Sequence, residues 1–218
     1  MSIALFDLDN TLLAGDSDYL WGCFLSDQGI VDRDYYEQET QRFYDQYKVG
    51  ELDIHEFLRF QLRPLAEHDM ATLSRWRKQY LEEKIMPILL PRAQALIDGH
   101  RGRGDLPVII TATNRFITGP IAALFGVEQL LATDPEVIDG RYTGGISDIP
   151  CFQDGKVRKV SDWLDTHRQT LENSWFYSDS HNDLPLLEKV THPVAVDPDE
   201  ILRRHAGECG WPVISLRD

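Results

Sequence analysis

The chain has 218 residues, 42% of them hydrophobic, enough for one buried core with room for a sizeable insertion. Its 36 acidic and 22 basic residues give a formal net charge of -14, a field that repels nucleic acid and anionic lipid and sets both aside as partners. Cys23, Cys151 and Cys209 are scattered without CxxC spacing, and no apolar run is long enough for a secretory leader or a membrane span, so the expectation is a cytoplasmic protein.

Residues 2 to 6 are short and apolar and stop at Asp7, which reads as a buried strand with Asp7 and Asp9 at its C-terminal end. From about 16 to 86 the texture is helical, with Tyr36, Phe43 and Tyr47, then Leu73, Trp76, Tyr80 and Ile85, recurring at helical spacing. Three or four helices are predicted there, punctuated by Gly50, Pro64 and Pro87. A helix over 92–101 and a buried strand Pro107–Thr111 follow, then a helix over 116–125 and a short strand near Leu130–Ala132. Asp139-Gly140 between apolar runs predicts a hairpin within 135–146. A helix over 155–168, a strand Trp175–Ser178, a helix near 183–190 and strands at Pro193–Val196 and Val213–Ser215, separated by a helix, complete the pattern. This alternation predicts an α/β fold, a doubly wound (Rossmann-like) parallel sheet with an inserted α-helical unit. The expected division is 1–14 with 87–218 as catalytic core and 15–86 as helical cap. The 15 acidic and 9 basic residues of 14–86 read first as solvated helix surface, and more sharply as carboxylates facing a pocket for a cation.

Ligands of such sheets bind at the carboxyl ends of the strands. Three motifs fall there, and a fourth opens a helix. Asp7-Leu8-Asp9-Asn10-Thr11 offers two carboxylates, one to attack phosphorus and one to move protons. A calcium-loop count through Asp7, Asp9, Thr11 and Asp18 fails, because Leu12 stands where the loop needs glycine. Thr111 in Ile110-Thr111-Ala112-Thr113-Asn114 supplies a hydroxyl, with following backbone N–H groups, for phosphate oxygens. Lys156 in Asp154-Gly155-Lys156-Val157 can neutralise a transferring phosphoryl group, with Arg158 and Lys159 as rival cations. Ser178-Asp179-Ser180-His181-Asn182-Asp183 brings Asp179 as a metal ligand and Asp183 as a direct ligand or an orienting group. His181 in a hard-oxygen site reads as a bystander or a substrate contact.

In this order the four motifs resemble those of the haloacid dehalogenase superfamily of phosphatases, and DLDNT, ITAT, DGKV and SDSHND span the whole chain. The subfamily with phosphoserine phosphatase is the most similar, and bacterial histidinol-phosphate phosphatases of that subfamily resemble the NRFITGPIA and PCFQDGKV segments. The resemblance implies Asp7 as nucleophile, Asp9 as acid and base, and Mg2+ on Asp7, Asp179 and the Asp9 backbone carbonyl. It further implies Thr111, Ala112, Lys156 and Asn182 around the phosphate, and a cap that admits a small phosphomonoester. Asp16 lies where phosphoserine phosphatases bind a substrate amine; Arg59 is near their carboxylate-binding arginine position, which Gln61 occupies. Histidinol phosphate, with an amine and no carboxylate, is therefore expected first and phosphoserine second. A signalling receiver domain shares a phosphorylated Asp, a Thr and a Lys, but its acidic pair precedes the acceptor and it lacks a helical insertion. A phosphotransferase shares the first steps. The sequence carries no signal for an oligomeric state.

Overall fold

The computed structural model describes residues 2–217. Its six-stranded sheet is parallel throughout, in the order β3-β2-β1-β6-β7-β8, with β1 at Ile3–Phe6, β2 at Leu106–Asn114, β3 at Gln129–Thr133, β6 at Trp175–Ser178, β7 at His192–Val196 and β8 at Val213–Ile214. A separate hairpin pairs β4 (Pro135–Ile138) with β5 (Arg141–Ile146). Its turn residues Asp139 and Gly140 both have positive φ, 50° and 74°, as a two-residue primed turn requires.

The strand side chains alternate between two cores. Ala4 and Phe6, with Ile109, Tyr177 and Val194, face one side of the sheet; Ile3 and Leu5, with Val108, Ile110 and Phe176, face the other. The first side is covered by α5 (Pro91–Gly102) and α6 (Arg115–Leu124), the second by α7 (Asp154–His167), α8 (Leu184–Leu187) and α9 (Glu200–Cys209). With both faces buried, β1 carries no polar residue until the chain turns out at Asp7. The chain winds outward from β1 to β3, then returns to β6 and winds the other way. The reversal point lies between β1 and β6, whose ends carry Asp7 and Asp179.

Four helices leave the sheet after β1: α1 (Ser17–Asp27), α2 (Arg33–Lys48), α3 (Ile54–Glu67) and α4 (Met70–Tyr80). Asp16, Asp32, Asp53 and Asp69 cap them in turn, each accepting backbone N–H groups of the first turn, so part of the acidic excess serves helix termini. Pro64, expected as a break, lies inside α3: it has no N–H to bond the Phe60 carbonyl, and α3 ends shortly after it, at Glu67. The helix expected near 183–190 shrinks to a 3-10 turn at His181–Asp183 and the single turn of α8. The five-residue step between buried Tyr80 and Ile85 is accommodated by a π-helical turn at Leu81–Ile85. Outgoing and returning chain run side by side, through a bridge between Leu13 and Leu89 and an Ala14 N–H bond to the Ile88 carbonyl of 2.9 Å. Among the described residues, no helix is long and apolar enough to cross a membrane.

Candidate active site

Asp7 follows β1 directly, and its N–H bonds the Tyr177 carbonyl on β6 at 2.9 Å, which extends the sheet into the loop. Lys156 rises from the first turn of α7 and places Nζ 2.6 Å from Asp7 Oδ1 and 2.8 Å from Asp183. Gly155 sets that turn: a Cβ there would lie 2.0 Å from the Pro150 carbonyl oxygen, so only glycine fits. Gln153, just before the helix, is held at φ 48° and ψ -120°, a strained conformation at the site's edge. The rival cations lie elsewhere. Lys159 bonds Asp134 at 3.0 Å and Asp148 at 3.3 Å, and Arg158 is exposed.

The Thr11 hydroxyl lies between Asp7 Oδ2 (3.2 Å) and Asp179 Oδ1 (3.1 Å) and receives the Asp179 N–H at 3.1 Å. The carboxylates at the ends of β1 and β6 therefore share one side of the site. Asp183 is bound by Lys156 and by the Ser178 hydroxyl at 2.6 Å, so in this structure it orients the lysine. Asp9 turns the other way. Its Oδ1 receives the Ser17 N–H at 2.7 Å; its Oδ2 receives the Thr113 hydroxyl at 2.9 Å, with Thr111 Oγ1 at 3.4 Å. Its carboxylate, expected to move protons, is thus bound by hydroxyl and N–H donors; the backbone carbonyl of Asp9 is the group expected at the metal. Thr113 and Ser17 are the contacts sequence reasoning missed. Thr113 was detectable: two residues beyond Thr111, it lies on the same face of an extended chain.

Burial sets the electrostatics. It raises Asp7 to about 7, with Lys156 opposing and Asp183 and Asp9 reinforcing the rise. Burial, then repulsion from Asp16, raises Asp9 to about 6 against the bonds from Ser17 and Thr113. Asp179 is pushed well above the usual carboxylate range by burial and by Asp7 and Asp183. Burial alone would lower Lys156; Asp183 and Asp7 reverse that and hold it well above an ordinary lysine. Two carboxylates, Asp7 and Asp183, thus bind one cation, and Asp7 and Asp179 offer hard oxygen donors where negative charge is in excess. This donor set fits a divalent ion such as Mg2+.

The remaining predicted residues are dispersed around this centre. Ala112 sits half-buried at the end of β2, its carbonyl accepting the Thr133 hydroxyl at 2.8 Å. Asn182 is buried but engaged: Gln153 donates to its Oδ1 at 2.8 Å, and its Nδ2 donates to the Tyr47 carbonyl at 3.3 Å. Tyr47 also donates its hydroxyl to Ser180 Oγ at 2.7 Å, so the end of α2 rests on the loop after β6. His181 is held through Nδ1 by Asp199 at 2.8 Å, while Nε2 faces Gly50. Asp16 is exposed and caps α1. Arg59 is not brought to the site. It is exposed on α3, off the buried Leu58–Leu62–Leu65 stripe, whereas Gln61 is buried.

A doubly wound parallel sheet with an acidic pair after its first strand and a buried lysine beside it describes an α/β protein whose carboxylate-rich site lies at the strand ends. The chain belongs to the haloacid dehalogenase-like hydrolase family, whose model matches residues 4–188. It is 40% identical over 99% of both chains to a histidinol-phosphatase of Neisseria meningitidis. A phosphoserine phosphatase of Mycobacterium tuberculosis is 30% identical over 98% of this chain and 70% of its own length. Among solved structures, a protein of unknown function from Bordetella pertussis superposes with a TM-score of 0.93 at 44% identity, covering 99% of this chain and 98% of that one. A substrate-bound phosphoserine phosphatase shares the fold at a TM-score of 0.74 and 18% identity, over 100% and 94%.

Proposed function

We propose that this protein is a magnesium-dependent phosphomonoester hydrolase that forms an aspartyl phosphate on Asp7, with histidinol phosphate as its substrate. The observation that carries this reading is the convergence of Asp7 and Asp179 on one threonine hydroxyl with Lys156 bound to Asp7. Asp7 attacks phosphorus as the bond to the departing alcohol breaks, and Asp9 delivers the proton that the alkoxide needs. Water then attacks the acyl phosphate, Asp9 takes its proton, and phosphate leaves with Asp7 restored. Thr111, Lys156, the Asn182 amide and the N–H groups near Ala112 hold the phosphoryl oxygens. Asp7, Asp179 and the Asp9 carbonyl would hold magnesium, which would supply Lewis-acid charge neutralisation when bound. A pKa of about 6 for Asp9 suits a group that must both give and take a proton near neutrality.

Residues 1–14 and 87–218 form the catalytic core in this reading, and 15–86 the cap. The paired segments at Leu13 and Leu89 serve as its hinge, and Tyr47 on Ser180 as its closing contact. The 40% identity to a histidinol-phosphatase supports the substrate. Arg59 is exposed and Gln61 is buried at the position expected for a carboxylate-binding arginine, which suits a substrate without a carboxylate; phosphoserine is the second candidate. Three free cysteines suit a cytoplasmic setting.

Phosphate release from histidinol phosphate and phosphoserine, with magnesium and with EDTA, tests the proposal. The expected result is kcat/KM at least about tenfold higher for histidinol phosphate, a difference of roughly 1.4 kcal/mol, and loss of turnover in EDTA. A wide preference for phosphoserine overturns the substrate; undiminished turnover in EDTA overturns the metal.

A further inference from the structure

Buried polar atoms normally have partners. Among the described residues, six buried side-chain atoms have none: Ser17 Oγ, Asp18 Oδ1, Trp21 Nε1, Tyr36 Oη, Gln46 Oε1 and Gln61 Oε1. All six lie on α1, α2 and α3. Asp18 retains 6% exposure and Gln61 3%, so solvent does not satisfy them.

Several of these residues are neighbours. Asp18, Trp21 and Gly22 share one face of α1 at three- and four-residue spacing. A Cβ on Gly22 would come within 3.1 Å of the Tyr36 ring, and the Tyr36 ring centroid is 4.5 Å from that of Phe60, the residue before Gln61. Burial, then the nearby Asp18 carboxylate, raises the Tyr36 hydroxyl. The same face reaches the reaction centre: the Ser17 N–H holds Asp9, and Trp21 stands edge-on to Phe116, just past the second motif.

Among these neighbours Asp18 is the only acid. Asp18 Oδ1 and Gln61 Oε1 are acceptors, the Trp21 indole is a donor, and the Tyr36 hydroxyl can act as either. Arg59, the cation expected nearby, is exposed. An ammonium group donates to both acceptors and meets the Asp18 carboxylate with opposite charge, whereas a substrate carboxylate would be repelled by it. Asp16 is already engaged, its Oδ1 receiving the N–H groups of Asp18 and Tyr19, both at 2.9 Å.

We propose that Asp18, with Tyr36 and Gln61 beside it, is the subsite for the substrate's ammonium group and determines specificity in place of Asp16. This rests on the phosphatase reading above. The test compares histidinol phosphate with phenyl phosphate, which has no amine. Asp18→Asn is expected to lower the ratio of their kcat/KM values by about tenfold to a hundredfold, the range for one charge-assisted hydrogen bond, with the loss in KM. Asp16→Asn is expected to move that ratio less. Calorimetric binding of histidinol, the dephosphorylated amine, is expected to weaken at least tenfold in Asp18→Asn, whichever substrates turn over. Three results overturn the proposal: equal losses on both phosphates, a larger ratio change from Asp16→Asn, or unchanged histidinol binding. Failure of the wild-type protein to hydrolyse either phosphate overturns the phosphatase reading instead, and histidinol binding then decides on Asp18.

Discussion

Lys156 is bound to two buried carboxylates, and each partner is tolerable in the core only because the others are there. Lys156→Met leaves Asp7 and Asp183 uncompensated and is predicted to cost about 3–5 kcal/mol in urea unfolding without divalent ions. A fully retained midpoint would contradict the ion-pair account. Asp7→Asn removes one of the repelling carboxylates, so it is expected to abolish turnover while leaving the unfolding midpoint within about 1 kcal/mol. Thr113→Val removes one donor to Asp9 and is predicted to lower kcat by roughly tenfold, as one lost hydrogen bond does; an unchanged kcat would show that Thr113 does not tune Asp9. The residue types near phosphate were legible in the sequence because strand ends and acidic or hydroxyl side chains coincide there. The choice of Lys156 over Lys159 came from the resemblance and not from the residue types alone. Both stand on α7 and both are buried, and only the structure assigns Lys159 to Asp134.

The turn into α7 carries the tightest contact of any glycine among the described residues. Gly155→Ala drives a methyl group into the Pro150 carbonyl, shifts the helix that carries Lys156, and is predicted to destabilise by at least about 1–3 kcal/mol with loss of activity. Wild-type melting and turnover in that variant would show that the turn can relax. The α2 terminus depends on milder contacts. Tyr47→Phe removes the hydroxyl bond to Ser180 and is expected to raise KM more than it lowers stability, measured by steady-state kinetics beside a melt. Most elements were readable from periodicity because β1, β2 and β6 are buried on both faces and the helices are apolar on one. The errors have local causes. Pro64 lies within α3 and the helix stops only at Glu67, and the run after Asp183 forms only one turn of α-helix before β7 begins.

Across the whole molecule, His100 ties α5 to the sheet, with one ring nitrogen 2.8 Å from Asp105 and the other 2.8 Å from the Tyr177 hydroxyl. Burial lowers its pKa below the ordinary value, with Asp105 opposing. As pH falls below about 6.5 the unfolded chain therefore takes a proton that the folded one resists, and stability declines. Melting temperatures from pH 7.5 to 5 should fall more steeply for the wild type than for His100→Gln; parallel curves would contradict this linkage. The central claim concerns a covalent bond and has a direct test. Enzyme quenched in acid during turnover of substrate labelled in the phosphoryl group, then digested and mapped, is predicted to carry the label on the peptide containing Asp7. Asp7→Asn should carry none. Label on another peptide, or product accumulating with no labelled protein at any time point, would contradict the account.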